Sequence, residues 1–207
     1  MNPTTRTLLV VDGSHHATSR TAALAANLAQ RSLAALAERG DESRWTAYPL
    51  ALRDVGRDLL DGLLTGASSS GSAWVREVTG RADALVLATP CHNASFSALT
   101  KLYLDVLGPQ ALTGLPTLVA VAGASPRHTL VADLVVRPVV SGLGASVVPT
   151  AVYAADIDWA TTGAGSGASP SDALADRCQQ AADELADAAQ ARTIGERSRR
   201  GSRLLPV

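Results

Sequence analysis

Apolar positions along this 207-residue chain alternate between short continuous runs and longer stretches in which they recur every third or fourth residue. The runs at residues 7–12, 84–88, 115–122 and 145–154 predict strands buried on both faces, and residues 45–50 predict a weaker one. Between them, Leu24, Leu28, Leu33 and Leu36 mark one face of a helix that ends near Arg39, with Gly40 as its stop. Residues 54–64 and 73–79 predict two short helices separated by a Ser/Gly loop at 66–71. Thr89-Pro90 is expected to end the third strand, because proline lacks a ladder donor and restricts the residue before it. From Ser95 on, Phe96, Leu99, Leu102, Tyr103 and Val106 predict a helix with one buried face. Leu130, Leu134, Val135 and Val139 predict another, kinked or shortened by Pro138. A Gly/Ser-rich segment at 161–171, expected to be flexible, leads to a last amphipathic helix at 172–191.

Strands alternating with helices imply a parallel sheet covered on both faces, with right-handed crossovers. Five strands favour a flavodoxin-like α/β fold, a doubly wound five-stranded parallel sheet of order 2-1-3-4-5 in three layers, α/β/α. Residues 1–191 would form this single domain and 192–207 a flexible basic tail. Ligands of such sheets sit beyond the carboxyl ends of the strands, at the switch point between the first and third. Residues 13–21, 90–95 and 123–128 would line that crevice.

Composition narrows the function classes. Hydrophobic residues make up 46% of the chain, charged residues 18%, and the formal net charge is −1, which provides no general attraction to nucleic acid or acidic membranes. No run approaches the roughly 18 apolar residues of a membrane span, and the polar start is not that of a signal peptide, so a cytoplasmic location is expected. Cys91 and Cys178 lack CxxC spacing, and His15, His16, His92 and His128 lack metal-site spacing; neither a disulfide nor a metal centre is expected.

The loops carry the remaining chemistry. Ser14, Thr18, Ser19 and Thr21 surround the start of a helix, where hydroxyls and free N–H groups can hold a phosphate. Capping by Thr18 or Ser19 explains the same cluster without a ligand. Neither GxGxxG nor GxxxxGK[ST] is present, which argues against an ordinary dinucleotide fold and a P-loop. Pro90, Cys91, His92, Asn93, Ala94 and Ser95 in the second loop, and Gly123, Ala124 and Ser125 in the third, are small enough for main chain to approach a planar ring. Asn93 and Gly123 also suit plain turns, and His92 suits either a ligand or solvent. Cys91 has no basic neighbour that would make it a nucleophile, and no G-x-S-x-G elbow presents a serine.

These motifs resemble those of the NADPH-dependent FMN reductase family. Its first loop, Gly-Ser-x-Arg-x-x-Ser, is matched by Gly13-Ser14-His15-His16-Ala17-Thr18-Ser19, with His16 at the arginine position. Its Pro-x-Tyr/Phe-Asn motif is matched by Pro90-Cys91-His92-Asn93, with His92 at the aromatic position. The Leu-Lys-x-x-x-Asp that follows is matched from Leu99 to Asp105 with one residue inserted before Lys101. Residues 88–97, Arg127-His128 and residues 147–152 resemble an actinobacterial branch, and the likeness runs from about Leu8 to Trp159. The resemblance implies FMN, its phosphate on residues 14–21 with His16, Thr18 and Arg20 standing in for the missing arginine. It places the isoalloxazine between residues 90–95 and 123–127 and stacks NADPH or NADH on the exposed ring face. Arg127 then faces the NADPH phosphates or the flavin edge, or else only solvent. No residue need act as acid, base or nucleophile. A homodimer or homotetramer through the helices after the third and fourth strands is implied, as is supply of reduced flavin to a partner monooxygenase. An electron carrier, a redox sensor and a quinone reductase with tightly held FMN are the alternatives.

Overall fold

The computed structural model describes residues 5–39, 44–66, 70–160 and 169–202. Its centre is a parallel sheet in which β2 (Arg44–Ala51), β1 (Thr5–Asp12), β3 (Ala84–His92) and β5 (Pro116–Ala122) lie in that order. The fifth position is shared by two short strands, β6 (Ser146–Val147) and β7 (Val152–Ala154), both paired with β5. This is the flavodoxin-like order expected, but the single fifth strand expected at 145–154 is broken. The Val148 N–H still bonds Thr117 O at 3.0 Å, the chain leaves the ladder beyond it, and side chains satisfy the polar groups exposed at the break. Arg137 donates to the carbonyls of Val148 and Pro149, both at 2.7 Å, while Glu184 accepts from the N–H and hydroxyl of Thr150.

Alternate residues of each strand face opposite layers. Leu8, Val10, Val86, Ala88 and Leu118 pack under α1 (Arg20–Glu38) and α6 (Asp172–Ser202), whose Leu24, Leu28, Leu174 and Leu185 are fully buried. Leu9, Val11, Leu85, Leu87 and Val119 pack under α2 (Leu52–Thr65), α3 (Ser70–Gly80) and α4 (Ala98–Leu107), against Leu52, Leu59, Val75 and Tyr103. Among the described residues, no helix is long and apolar enough to cross a membrane.

Several elements depart from the sequence pattern. β3 does not stop at Thr89-Pro90 but runs on to His92. Ala88 accepts from the Gly13 N–H on the β1 side, so Pro90, two residues on, turns its donorless nitrogen the same way, beyond the end of β1. Ser95 and Phe96 belong to a short strand, β4 (Ser95–Phe96), paired back onto β3, and the helix starts only at Ala98 with Ser97 as its cap. The helix expected around Leu130 to Leu143 is a 3-10 turn at Pro126–His128, a π turn at Ala132–Val136 and α5 (Arg137–Gly142). The π turn widens the chain just before Pro138, where an α-helical bond has no donor. It also changes the buried face: Val131, Val136 and Val140 point inward, while Leu130 and Leu134 are 62% and 67% exposed.

α2 follows β2 without a loop, and Gly66 ends it at φ 63°. Residues 67–69 of the expected Ser/Gly loop lie outside the described residues, and Gly71 is already helical. Of the expected flexible segment, 161–168 lie outside the described residues. Its remainder, β9 (Ser169–Pro170), pairs antiparallel with β8 (Trp159–Ala160). α6 does not end at Ala191 but continues to Ser202, with Thr193 2% exposed; 203–207 lie outside the described residues.

Candidate functional site

β1 delivers the first loop. The Gly13 N–H bonds Ala88 at 2.8 Å, and the Gly13 carbonyl accepts from the Ser97 hydroxyl at 2.8 Å. A side chain at Gly13 would collide with Thr100 Oγ1, so glycine is required by close approach rather than by an unusual φ. Thr89, Ser97 and Thr100 form a buried hydroxyl network beneath this point. Thr89 Oγ1 accepts from Ser97 N at 3.1 Å and from Thr100 Oγ1 at 2.9 Å. The loop is thus anchored to both β3 and the start of α4.

Beyond Gly13 the expected phosphate residues separate. Ser14 is 2% exposed and gives both its N–H and its hydroxyl to Asp12, each at 2.9 Å, so it faces inward. Thr21 is 3% exposed on the buried face of α1. His15, His16, Ala17 and Thr18 are exposed. Ser19 caps α1 by accepting from Ala22 N–H at 3.0 Å, which uses a lone pair and leaves the hydroxyl hydrogen for an outside acceptor.

The second loop is a tight hairpin. His92 pairs with Ser95, and the two residues between, Asn93 and Ala94, have φ of 51° and 58°. This is the pattern of a type I′ turn, which suits Asn and costs Ala. The His92 ring stacks on His15 of the first loop, centroids 4.9 Å apart and planes at 17°. Partial burial, and then the neighbouring His15, push the His92 imidazole below its ordinary pKa. Cys91 is half-buried, and burial pushes its thiol up in spite of backbone bonds from Ala94 and Ser95. It therefore stays a thiol at neutral pH.

The third loop is held from beneath by Tyr153. Its hydroxyl donates to Ser125 O at 2.7 Å and also occupies the place a side chain at Gly123 would need; Cys91 Cβ lies 3.0 Å from that place. Burial, then Cys91, Asp156 and Asp158, raise the Tyr153 pKa, keeping it a donor. Ser125 Oγ accepts from Arg127 N–H at 3.3 Å, and the Arg127 side chain is exposed. Ala124 O accepts from Asp156 N–H at 3.4 Å, and Arg20 at the start of α1 pairs with the Asp156 carboxylate at 2.8 Å. First, second and third loops therefore converge at the carboxyl edge, as expected. Asp12, Arg53, Thr89, Ser97, Thr100, Tyr153 and Asp156, which hold them there, were not singled out as site residues. A signal existed only for Ser97, an N-cap residue three positions before Thr100.

The family model for NADPH-dependent FMN reductases matches residues 6–160, a span that begins in β1 and ends in β8. The chain belongs to the NADPH-dependent FMN reductase family. The NADH-dependent FMN reductase SfnE of Pseudomonas putida is 32% identical over 127 residues, which cover 61% of this chain and 68% of that protein. An oxidoreductase from Corynebacterium diphtheriae has a structure similar at TM-score 0.79 and 32% identity, covering 89% of this chain and 96% of that one. The apo form of the NADH:FMN oxidoreductase EMOB is similar at TM-score 0.68 and 27% identity, covering 87% and 88%.

For a member of this family the three loops fit the group the family name implies. FMN needs a place for an anionic phosphate and a flat, sterically open place for its ring. The exposed loop before α1, with helix N–H groups behind it, meets the first need. The small residues Ala94, Gly123 and Ala124, with a two-residue hairpin at Asn93, keep side-chain bulk low for the second.

Proposed function

We propose that this protein is an NAD(P)H-dependent FMN reductase, moving a hydride from NADPH or NADH to FMN. The observation that carries the reading is the meeting of three separate loops at the carboxyl edge of the sheet, where His15 stacks on His92 and Cys91 lies against Gly123, in a chain of this family. When bound, FMN supplies the two-electron acceptor. The residues around it position and exclude. His16, Thr18 and Ser19 face the phosphate, while Pro90, Cys91, His92, Asn93, Ala94, Ser95, Gly123, Ala124, Ser125 and Arg127 border the ring. Held as a neutral thiol and a neutral phenol, Cys91 and Tyr153 put no charge beneath the ring. The chemistry asks the protein only to hold donor and acceptor rings in contact.

Self-association through the helices after β3 and β5 accompanies this reading, supported by the exposure of Leu130 and Leu134. Reduced flavin that leaves the site is a substrate suited to a flavin-dependent monooxygenase. The cytoplasm, where nicotinamide nucleotides are abundant, is the matching compartment. The test is an anaerobic titration with FMN followed by NADPH or NADH, read at the oxidised flavin band. Protein-dependent bleaching supports the reductase, and the faster nucleotide names the donor. Binding without bleaching would replace it with an electron carrier or sensor.

A further inference from the structure

Asp12 is a carboxylate only 12% exposed at the end of β1, surrounded by three donors. Ser14 N–H reaches Oδ1 and Ser14 Oγ reaches Oδ2, both at 2.9 Å; Arg53 Nη1 reaches Oδ2 at 2.7 Å. Arg53 arrives there because Asp12 pairs in register with Ala51 and α2 begins at the next residue. Its side chain is 25% exposed, and apart from Asp12 its carboxylate neighbour is Asp54, 3.9 Å from Nε. With Asp12 it lines a cavity of about 250 Å³ between α1 and β2 whose other walls are apolar, among them Ala22, Ala25, Ala47, Pro49 and Leu50. A buried carboxylate without a cation is costly, so removing Arg53 would leave Asp12 with the Ser14 donors alone and favour its turning toward solvent.

The consequence falls on the loop. Ser14 is turned inward by Asp12, its hydroxyl also lies 3.0 Å from the His16 carbonyl, and residues 15–18 are exposed. We propose that Asp12 and Arg53 are positioning residues for the phosphate loop: Asp12 fixes Ser14, Arg53 fixes Asp12, and neither touches the flavin. The proposal rests on the FMN reading above. It differs in sign from simple electrostatics. Neutralising Asp12 removes a negative charge near the phosphate and frees Arg53, which by charge alone would tighten FMN binding; loss of positioning weakens it.

The experiment compares dissociation constants for FMN and riboflavin, by flavin fluorescence, in the wild type, Asp12→Asn, Arg53→Met and the milder Ser14→Ala, each checked by thermal denaturation. The wild type should prefer FMN to riboflavin. That preference should fall about tenfold or more in Asp12→Asn and Arg53→Met, and less in Ser14→Ala, while riboflavin affinity stays within about twofold. Should both Asp12→Asn and Arg53→Met fail to fold, Ser14→Ala decides: a lowered preference supports the positioning role, and an unchanged one overturns it. A preference that is unchanged or raised in Asp12→Asn overturns the positioning role alone. A wild type that binds both flavins equally overturns the phosphate assignment as well.

Discussion

At Ser19 the two readings of the first loop coincide, and one atom can serve both. Its oxygen accepts from Ala22 N–H, so Ser19→Ala should cost roughly 1 kcal/mol, lowering the melting temperature by about 2–4 °C. Ser19→Asp retains a cap acceptor but sets a negative charge against a phosphate. We expect it to melt near the wild type and to bind FMN more weakly than Ser19→Ala does; wild-type affinity in Ser19→Asp would leave Ser19 a cap only. A second prediction concerns His92. Its fold-lowered pKa means that the folded state favours the neutral ring. The associated stability is present above the unfolded value and is lost as pH falls through the folded one. In an NMR titration His92 should therefore titrate below its ordinary value. His15→Ala should move it only part of the way back, because burial is the larger cause and the neighbouring imidazole the smaller.

At the scale of elements, the hairpin after β3 shows a local conflict. Ala94 sits at φ 58°, a region that costs a residue with a Cβ roughly 1–2 kcal/mol. Ala94→Gly would give Asn93 the partner most favoured in a type I′ turn. It should raise stability by ~0.5–1 kcal/mol in denaturant unfolding, after allowance for the entropy of glycine. Pattern reading missed this hairpin because Ser95 and Phe96 also fit the helical period of Leu99, Tyr103 and Val106. Strand pairing with Cys91 and His92 prevailed over that period. Lys101 and Asp105 on α4 form an i,i+4 pair at 2.7 Å, in the weaker orientation and well exposed.

Across the whole molecule, the broken fifth strand is held by groups from two different layers. Arg137, 23% exposed and just past the π turn, bonds two carbonyls at the break, and Glu184 of α6 bonds Thr150 from the opposite layer. Arg137→Met keeps much of the apolar stem but leaves the Val148 and Pro149 carbonyls without their donor. A loss of ~1–3 kcal/mol in unfolding free energy is expected. Because Tyr153 on the next strand supports Ser125, FMN affinity should fall too if the break shifts β7. An Arg137→Met variant with wild-type stability would show that solvent serves those carbonyls equally well.

What the sequence determined by itself was periodic or local. Continuous apolar runs marked the buried strands, three-and-four spacing marked helix faces such as that of Leu24 and Leu28, and small residues after β1, β3 and β5 marked the loops that meet at the carboxyl edge of the sheet. These are readable because each depends on neighbours a few residues away. Tertiary structure alone decided which side chains meet: Arg53 with Asp12, 41 residues apart, Tyr153 with Ser125, 28 apart, and the His15 ring on His92. It also turned Ser14 and Thr21 inward while leaving Thr18 outside. Such pairings follow from strand register and from where each helix starts against the sheet. Those are settled by the packing of the whole core, and a linear pattern carries no separate mark of them.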